Sequence, residues 1–375
     1  MKQVSIRPHW TIQDPDGPAL PARLIELLVQ VHERGSLLLA AKALGLSYRH
    51  AWDLVRQGEQ CFQSQLLHMA RGKGSTLTEL GEKIAWADRR IQARLKPVLD
   101  SLASELAGEL QRTLSASAPA LRIQASHGFA IERLIERLQQ DGLRLEFGYA
   151  SSAAALAALH EGDCDAAGLH IPLGSMQTHA LEHYARWLDE SLDLQVIDIA
   201  TRRQGLMVRA GNPKELFALA DLARPQVRFI NRQVGSGTRL LLEGLLKQQG
   251  VAPERIVGFE QGEYTHAAVA AYVASGMADV GFGLEPPARQ FKLDFVPIAS
   301  ERYFLLCRGE LGRSAQMQTV LAALRDPALR ALLNTLPGYD ASHSGRLTPL
   351  HEAFGERPPQ PAPHSDPART QGARD

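Results

Sequence analysis

The sequence predicts an α/β protein whose first hundred residues form a separate, all-helical unit. Residues 20–112 carry apolar side chains at the three- and four-residue spacing of amphipathic helices. From residue 121 onward, short apolar strands alternate with helices, which is typical of a parallel sheet covered by helices. Between them, SASAPA has the composition of a linker. We therefore predict a helical unit over 20–112, a linker over 113–120, an α/β domain over 121–336 and a disordered, proline-rich tail over 337–375.

Composition places the chain among ordinary soluble proteins. It has 375 residues, 45% of them hydrophobic and 22% charged, with a formal net charge of zero. A neutral chain neither requires nor excludes a nucleic-acid partner, so any basic surface has to be local. Three widely spaced cysteines suit a reducing compartment, and no stretch reaches the roughly twenty apolar residues that cross a bilayer. Without the apolar core of a secretory signal near the N-terminus, the expected location is the cytoplasm.

Three short helices are predicted at the start of the helical unit. Leu24, Leu27, Leu28 and Val31 form the apolar stripe of the first, Gly35 can end it, and Ser36 can cap the second, LLLAAKAL. After a glycine turn, Ser47 can cap a third helix. Its predicted buried stripe is Tyr48, Ala51, Trp52 and Val55, and its predicted outer face is Arg49, His50, Asp53, Arg56 and Gln57. Two short helices around a tight turn, the second with a polar face, indicate a helix-turn-helix.

A β-hairpin wing is predicted directly after the third helix. The stretch LLHMARGKGSTLT reads as a strand, a basic glycine turn and a return strand. Cations on the wing and on the third helix would then share one face, which suits contacts to DNA phosphates. The candidate DNA-binding residues are Ser47, Tyr48, Arg49, His50, Asp53, Arg56, Arg71 and Lys73. A plain helical corner is the alternative, since the carboxylate of Asp53 would repel phosphate.

A long helix is predicted from about Leu80. Its apolar seam contains Ile84, Ala87, Ile91, Leu95, Val98, Leu102 and Leu106. Pro97 lies inside it and is expected to kink or break the helix, because proline lacks the N–H that a helix interior needs. A seam of this length without a partner in the sequence favours packing against the same helix of a second subunit, so we expect a dimer.

The stretch FINRQVGSGTRLLLEGLL predicts an anion site at a helix N-terminus. A short strand leads into Gly235, Ser236, Gly237 and Thr238, and then into a helix. The free N–H groups and partial positive charge of a helix N-terminus attract anions, and Arg232 or Arg239 can add a guanidinium. The loop is not a Walker A motif, because the required lysine is absent. An ordinary capped helix with surface arginines is the alternative interpretation.

Other strand-to-helix turns carry hydroxyl groups in the same way. Ser126 follows a strand, Ser151 and Ser152 begin a helix, and Thr265 can cap another. Because open α/β sheets place ligands at the carboxyl ends of their strands, we expect these turns to converge. The candidate ligand-binding residues are Ser126, Ser151, Ser152, Arg232, Ser236, Gly237, Thr238, Arg239 and Thr265. Donors of this kind suit a small multivalent oxyanion.

Catalysis is the less favoured use of these residues. Ser126 and His127 are adjacent in sequence, and neighbours rarely present a nucleophile and a base to each other. No G-x-S-x-G elbow is present. The histidines lack H-E-x-x-H spacing and the cysteines lack C-x-x-C spacing. We therefore expect no catalytic residues, no metal site and no cofactor.

The helical unit resembles the winged helix-turn-helix of bacterial molybdate-responsive regulators, which is close to the LysR-type DNA-binding domain. The resemblance lies in GSLLLAAKALGLSYRHAWDLVRQGEQ and RGKGSTLTELGEKI, and covers about residues 20–110. It implies a DNA-binding transcriptional regulator. The glycine run of the wing is shorter here than in that family. The β-barrel sensor of the molybdate regulators has no counterpart in this chain, so the effector does not follow from this half.

Residues 121–335 resemble a two-lobed, periplasmic-binding-protein-like (type II) domain of the molybdate and tungstate receptor type. FINRQVGSGTR, THAAVAAYVASGMADVGFG and FVPIASERYFLL carry the likeness. It implies that hydroxyls and amides at the strand ends bind molybdate or tungstate. LysR-type effector domains share this architecture and take small carboxylates, so formate or a similar anion stays an alternative. A further alternative is an enzyme or cofactor-handling protein whose helical unit only mediates assembly.

Overall fold

The computed structural model describes residues 4–13, 19–70, 74–114, 120–188 and 193–355. The N-terminal unit contains four helices and a hairpin. In chain order these are α1 (Ala22–Arg34), α2 (Leu37–Ala43), α3 (Tyr48–Phe62), β1 (Leu67–Ala70), β2 (Gly74–Leu77) and α4 (Glu79–Leu114). The predicted helix-turn-helix and wing are therefore both present.

The caps that define the helix-turn-helix are those that the sequence predicts. The Ser36 hydroxyl accepts the Leu39 N–H at the start of α2, and the Ser47 hydroxyl accepts the His50 N–H, 3.1 Å away, at the start of α3. Gly35 ends α1 with a φ of 65°, a conformation that favours glycine. Each of these turns is encoded by one or two residues, which is why the sequence predicts them well.

The buried stripe of α3 differs from the predicted one by two residues, because Tyr48 is exposed and Trp52 is only partly buried. The buried positions are Ala51, Leu54, Val55 and Gly58. A Cβ on Gly58 would lie 2.5 Å from a methyl group of Leu24, so α3 approaches α1 closely there. Tyr48 occupies the first turn, before the helix reaches this contact. Its ring instead meets the edge of Trp52.

The wing is an antiparallel pair of strands that contacts the end of α1. β1 and β2 pair from Leu67↔Leu77 to Ala70↔Gly74, and the Ser75 N–H donates to the Gly35 carbonyl, 3.0 Å away. Arg71 and Lys73, which we predict to contact DNA, lie outside the described residues.

The long helix α4 runs without interruption through Pro97, so the predicted break is wrong. Proline leaves the carbonyl four residues earlier, that of Ala93, without its helical partner. The Thr265 hydroxyl donates to this carbonyl at 3.0 Å, so a tertiary contact replaces the lost bond. The second half of the apolar seam is exposed, with Leu95, Val98, Leu102 and Leu106 each between 39% and 57% accessible. The dimer stays a prediction that this face supports.

A single mixed sheet forms the centre of the α/β domain. Its strands are β3 (Leu121–Ala125), β4 (Leu145–Tyr149), β5 (Ala166–Pro172), β6 (Leu194–Val208), β7 (Phe229–Arg232), β8 (Gly262–Glu263), β9 (Val280–Leu284) and β10 (Asp294–Arg308). Their order is β4-β3-β5-β10-β6-β9-β7-β8. The helices are α5 (Phe129–Gln140), α6 (Ser152–Glu161), α7 (Gln177–Tyr184), α8 (Gly237–Gln248), α9 (His266–Ala274), α10 (Glu285–Gln290), α11 (Gly309–Gly312), α12 (Ala315–Arg325), α13 (Pro327–Asn334) and α14 (Leu350–Phe354).

The sheet is parallel only within each half. β3 pairs in parallel with β4 and β5, and β7 pairs in parallel with β8 and β9. Between these halves β6 and β10 run antiparallel to each other for fifteen residues each. The two segments LDFVPI and RYFLLC, which read as separate strands, are thus one strand with register shifts. The alternation of strands and helices in the sequence does not predict that two long antiparallel strands, β6 and β10, connect the halves of the sheet.

The crossing strands divide the domain into two lobes with separate cores. We call the half built on β3, β4 and β5 lobe 1, and the half built on β7, β8 and β9 lobe 2. Lobe 1 packs α5, α12 and α13 on one face of its sheet and α6 and α7 on the other. Lobe 2 packs α8 on one face and α9 and α10 on the other. The predicted two-lobed architecture is confirmed.

The predicted tail begins too early. Residues after 336 form β11 (Tyr339–Asp340), β12 (Leu347–Pro349) and α14, and both strands pair with β6. The expected disorder is therefore wrong for residues 337–355, because β6 offers these short segments free backbone partners. Residues 356–375 lie outside the described part of the chain. Among the described helices, none is both long and apolar enough to cross a membrane.

Candidate functional site

The Gly235–Thr238 corner of lobe 2 faces lobe 1 across the cleft between the lobes. Gly237 begins α8, and a Cβ there would lie 2.3 Å from Nε2 of His170 on β5. Only a glycine allows the two lobes to approach this closely. The helix start that we predict to bind an anion thus lies at the inner surface of the cleft.

Three of the predicted ligand residues gather around this contact. The Ser126 hydroxyl lies 3.3 Å from Nδ1 of His170, and the buried Thr238 hydroxyl accepts a hydrogen bond from Gln204 at 3.1 Å. Ser236 accepts the Arg239 N–H and so caps α8. Loops from both lobes therefore meet here, as the sequence predicts.

The other predicted hydroxyl residues are engaged elsewhere. Ser151 caps α6 by accepting the Ala154 N–H, and Ser152 is buried in the first turn of the same helix. Thr265 caps α9 by accepting the Ala268 N–H, 2.8 Å away, while it donates to α4 as described above. Capping explains Ser151 and Thr265 without a ligand.

The two arginines that flank the corner have different surroundings. Arg232 is buried, and its Nε and Nη2 donate to the backbone carbonyls of Glu263 and Tyr264, at 3.2 and 2.9 Å. Burial, reinforced by the positive charge of Arg202, lowers the pKa of Arg232 to about 10. Within the described residues no carboxylate pairs with Arg232.

Arg239, in contrast, is held by carboxylates near the surface of lobe 2. Its Nε lies 2.8 Å from Glu243, its Nη2 lies 2.9 Å from the exposed Glu260, and it stacks over Phe259. With its charge balanced in this way, Arg239 is the weaker candidate for a ligand contact. Strand and helix geometry, which the sequence does not give, decides between the two arginines.

A buried polar cluster on the crossing strands was missed by sequence reasoning. Arg202 on β6 donates through Nε to Glu301 on β10 at 2.6 Å, and Gln204 donates to the same carboxylate oxygen at 2.9 Å. All three are at most 1% exposed. Burial opposes the charge on each partner, yet their attraction prevails, so the pKa of Arg202 is raised and that of Glu301 is lowered. No motif marks residues 194–208, and only their pairing with β10 reveals the cluster.

Several buried polar atoms of the cleft lack hydrogen-bond partners among the described residues. They are Nη1 of Arg202, Nε2 of His170, Oε1 of Gln204 and Oε2 of Glu301. Nη1 of Arg202 points toward Gly128, the cap of α5, where an added Cβ would lie 2.9 Å away. Buried polar atoms are normally paired, so these four can bind water or a polar ligand.

The cleft also carries a surplus of positive charge. Arg202 and Arg232 are two buried cations, and Glu301 is the one carboxylate that pairs with either of them in the described part of the chain. Burial lowers the pKa of His170 to about 4 and lowers that of His266 as well, so both rings are neutral at pH 7. A buried charge without a counter-charge is costly. The arrangement therefore favours an anion over a cation or a neutral ligand.

The buried ring of His170 predicts a loss of stability in mild acid. Its pKa is about 4 in the folded protein and near 6.5 when unfolded, so the unfolded chain binds more protons between these values. The contribution of His170 to the free energy of unfolding should fall by about 1.4 kcal/mol per pH unit from pH 6.5 down to about pH 4, and should not change above pH 6.5. Urea unfolding at pH 7.0 and 5.0 should show a smaller drop for His170→Asn. The exposed His343→Asn should behave like the wild type, and an equal drop in all three would contradict the prediction.

The outer face of α3 is exposed as the sequence predicts. Ser47, Tyr48, Arg49, His50, Asp53 and Arg56 are all accessible to solvent. No ion pair within the described residues engages Arg49 or Arg56, so both cations are available to a partner. Their role as DNA contacts stays a prediction.

Comparison with known proteins matches two separate parts of the chain to family models. Residues 135–325, just over half of the chain, match the model of the PBP superfamily domain. The chain belongs to the PBP superfamily. Residues 22–82 match the model described as bacterial regulatory helix-turn-helix protein, lysR family. This PBP-superfamily chain thus carries a LysR-type helix-turn-helix, the DNA-binding unit of a family of regulators and not of enzymes, in line with the expectation that the chain is not an enzyme.

Individual relatives cover parts of this PBP-superfamily chain. The uncharacterized protein YvgK of Bacillus subtilis (strain 168) is 32% identical over 200 residues, which span 53% of this chain and 64% of YvgK. The molybdenum-pterin-binding protein MopB of Rhodobacter capsulatus is 32% identical over 94 residues, 24% of this chain and 35% of MopB. The structure of a hydrogen-peroxide-bound Corynebacterium glutamicum OxyR mutant covers 84% of this chain and 94% of its own, at 14% identity and a TM-score of 0.43.

Proposed function

We propose that this protein is a DNA-binding transcriptional regulator whose two-lobed domain senses a small oxyanion, with molybdate or tungstate as the best candidates. The presence of a LysR-type helix-turn-helix and a PBP-superfamily domain on one chain supports the regulator. The buried charge of the cleft supports the anion. DNA binding, the effector and a cytoplasmic homodimer all belong to this proposal.

The surplus positive charge of Arg232, next to the Arg202–Glu301 pair, is the observation that carries the proposal. A dianion between the two arginines would meet two guanidinium groups, and the hydroxyl groups of Ser126 and Thr238 lie in the same cleft. Many converging donors are what a desolvated, multiply charged anion needs. The start of α8 adds its partial positive charge.

Molybdenum chemistry has one further, weaker support. MopB is named as a molybdenum-pterin-binding protein, and the part of this chain that resembles it is 24% of the length. The alternative effector is formate or another small carboxylate, because a guanidinium pairs equally well with a carboxylate. The oxyanion and the carboxylate would bind in the same cleft and differ in charge and size.

The anion is expected to act by stabilising one arrangement of the lobes. A ligand that contacts both lobes favours the closed arrangement, in which His170 meets Gly237. DNA affinity then changes only if the open and closed arrangements position the paired DNA-binding units differently.

Calorimetric titration of the purified full-length protein tests the sensor. The panel comprises molybdate, tungstate, sulfate, phosphate and formate under identical conditions. We expect saturable binding of at least one oxyanion, with one site per chain. If none of the five binds, the cleft is not an oxyanion sensor.

The DNA-binding face makes a separate prediction. Arg49→Ala and Arg56→Ala should each weaken binding to the operon's upstream DNA in gel-shift titrations, because each removes a phosphate or base contact. For a phosphate contact, the salt dependence of log K should become shallower by about one unit. Arg34→Ala removes an exposed cation from the end of α1 and serves as the matched control. Equal DNA affinity in all four proteins would favour the assembly role of the helical unit.

A further inference from the structure

Helix α4 contacts both lobes of the domain that it precedes. It packs against β4, the edge strand of lobe 1, and against α9 of lobe 2. An open groove beside it is lined by Lys96 of α4, His127 of lobe 1 and Ala267 of lobe 2. The helix therefore lies across the boundary between the lobes.

The contact with lobe 2 is a two-pronged ion pair between a half-exposed arginine and a buried carboxylate. The Arg94 guanidinium donates through Nε to Oε2 of Glu263 at 2.6 Å and through Nη2 to Oε1. Glu263 is 1% exposed, so removal of Arg94 alone would leave a buried carboxylate without its ion-pair partner. Beside this ion pair, the Thr265 hydroxyl donates a hydrogen bond to the Ala93 carbonyl, which has no helical donor because residue 97 is proline. Pro97 thus leaves a free carbonyl on α4 at the point where lobe 2 presents a hydrogen-bond donor.

The contact with lobe 1 combines an ion pair with backbone hydrogen bonds. Lys96 Nζ lies 3.2 Å from Glu132 of α5. Further along α4, the Ser101 hydroxyl accepts the Tyr149 N–H at 2.8 Å, and the Ser104 hydroxyl accepts the Phe147 N–H at 2.9 Å. These serines satisfy the otherwise free edge of β4. The single helix α4 is therefore fixed to lobe 1 by one set of contacts and to lobe 2 by another.

Glu263 belongs to both the helix contact and the cleft. Its side chain holds Arg94, while its backbone carbonyl accepts from Nε of Arg232 at 3.2 Å. Any shift of Arg232 that accompanies an anion therefore moves a residue on which α4 rests.

We infer that α4 is a strap that holds the two lobes together in the arrangement seen here, and that Glu263 is a positioning residue linking Arg232 to Arg94. Loosening the strap at lobe 2 then frees the lobes to separate, and binding in the cleft shifts the helix that carries the DNA-binding unit. The second half of this inference rests on the proposed function; the first half does not.

Hydrogen–deuterium exchange of the anion-free, full-length protein tests the strap. The variant Arg94→Met/Glu263→Gln removes both charges, so no buried carboxylate is left without a partner. We expect α8, which packs against α7 of lobe 1, to exchange about fivefold faster or more when the lobes separate. Lys83→Met removes an exposed ion pair of the same helix and should exchange like the wild type.

The readout is chosen so that a merely local contact does not produce the expected result. Faster exchange confined to residues 262–274, with α8 unchanged, would overturn the inference. If the double variant proves unfolded by thermal scanning, Arg94→Lys keeps the charge but loses the two-pronged geometry, and the same α8 peptide decides.

The link to DNA is measured with sodium molybdate as the probe. In the wild type, saturating molybdate should change DNA affinity, whereas in Arg94→Lys, which alters no residue of the cleft, saturating molybdate should still bind and the change should become smaller. An unaltered response in Arg94→Lys would refute the link between Glu263 and α4. Absence of molybdate binding to the wild type would instead count against the proposed effector, and the exchange result would still decide whether α4 is a strap.

Discussion

Replacing Arg232 by methionine should lower the affinity for the bound oxyanion by about 100-fold or more. Charge-assisted hydrogen bonds in a buried site contribute about 1.5–3 kcal/mol each, and this guanidinium is the cation in the cleft without a carboxylate partner among the described residues. Methionine preserves the length of the apolar stem. Calorimetry of the variant with the anion that binds the wild type most tightly measures the effect.

Arg239→Met is the matched control for this experiment. It removes the same chemical group seven residues later, from a position where Glu243 and Glu260 already balance the charge. We expect its anion affinity to stay within about threefold of the wild type, and DNA binding without anion to be retained in both variants. The reverse order of effects would mean that the site lies outside the cleft, beside Phe259.

Replacing Glu301 by glutamine should destabilise the α/β domain by about 3–5 kcal/mol. The variant leaves Arg202 and Arg232 buried with no carboxylate between them, and gains nothing in return. For a domain of this size, the melting temperature should fall by about 6–20 °C. Thermal unfolding followed by circular dichroism provides the measurement.

The same variant distinguishes a structural ion pair from an anion site. Because the missing negative charge can be supplied by a guest, a saturating oxyanion should raise the melting temperature of Glu301→Gln more than that of the wild type. Glu243→Gln, which removes an exposed carboxylate, should change the stability by about 0.5 kcal/mol or less. Equal stabilisation of all three proteins by the anion would show that the charge cluster does not contact it.

Much of the fold was predictable because the signals are local. The caps Ser36 and Ser47, the C-terminal Gly35 and the pairing of β1 with β2 depend on neighbours in sequence. The alternation after residue 121 similarly predicted strands and helices, and the corner at Ser236–Thr238 was expected at the inner surface of a cleft, where it lies.

The predictions that were wrong, at Pro97 and at residues 337–355, failed because contacts with residues far away in the sequence were not foreseen. Pro97 breaks a helix only if nothing accepts or replaces its lost bond, and the replacement comes from Thr265, 168 residues away. Residues 337–355 look too polar to fold, yet β6 gives them a backbone partner. In each case a distant residue overrides a local preference.

The sequence by itself determined the two modules, their order and the polar face of α3, since periodicity and capping are encoded within a few residues. Only the tertiary structure decided that Arg239 is paired with carboxylates while Arg232 has none among the described residues, that Arg202, Gln204 and Glu301 meet, and that α4 contacts both lobes. Charges interact through space, and β6 and β10 bring together side chains about a hundred residues apart. The residues of the cleft come together only when distant strands pair, so no single stretch of the sequence predicts it.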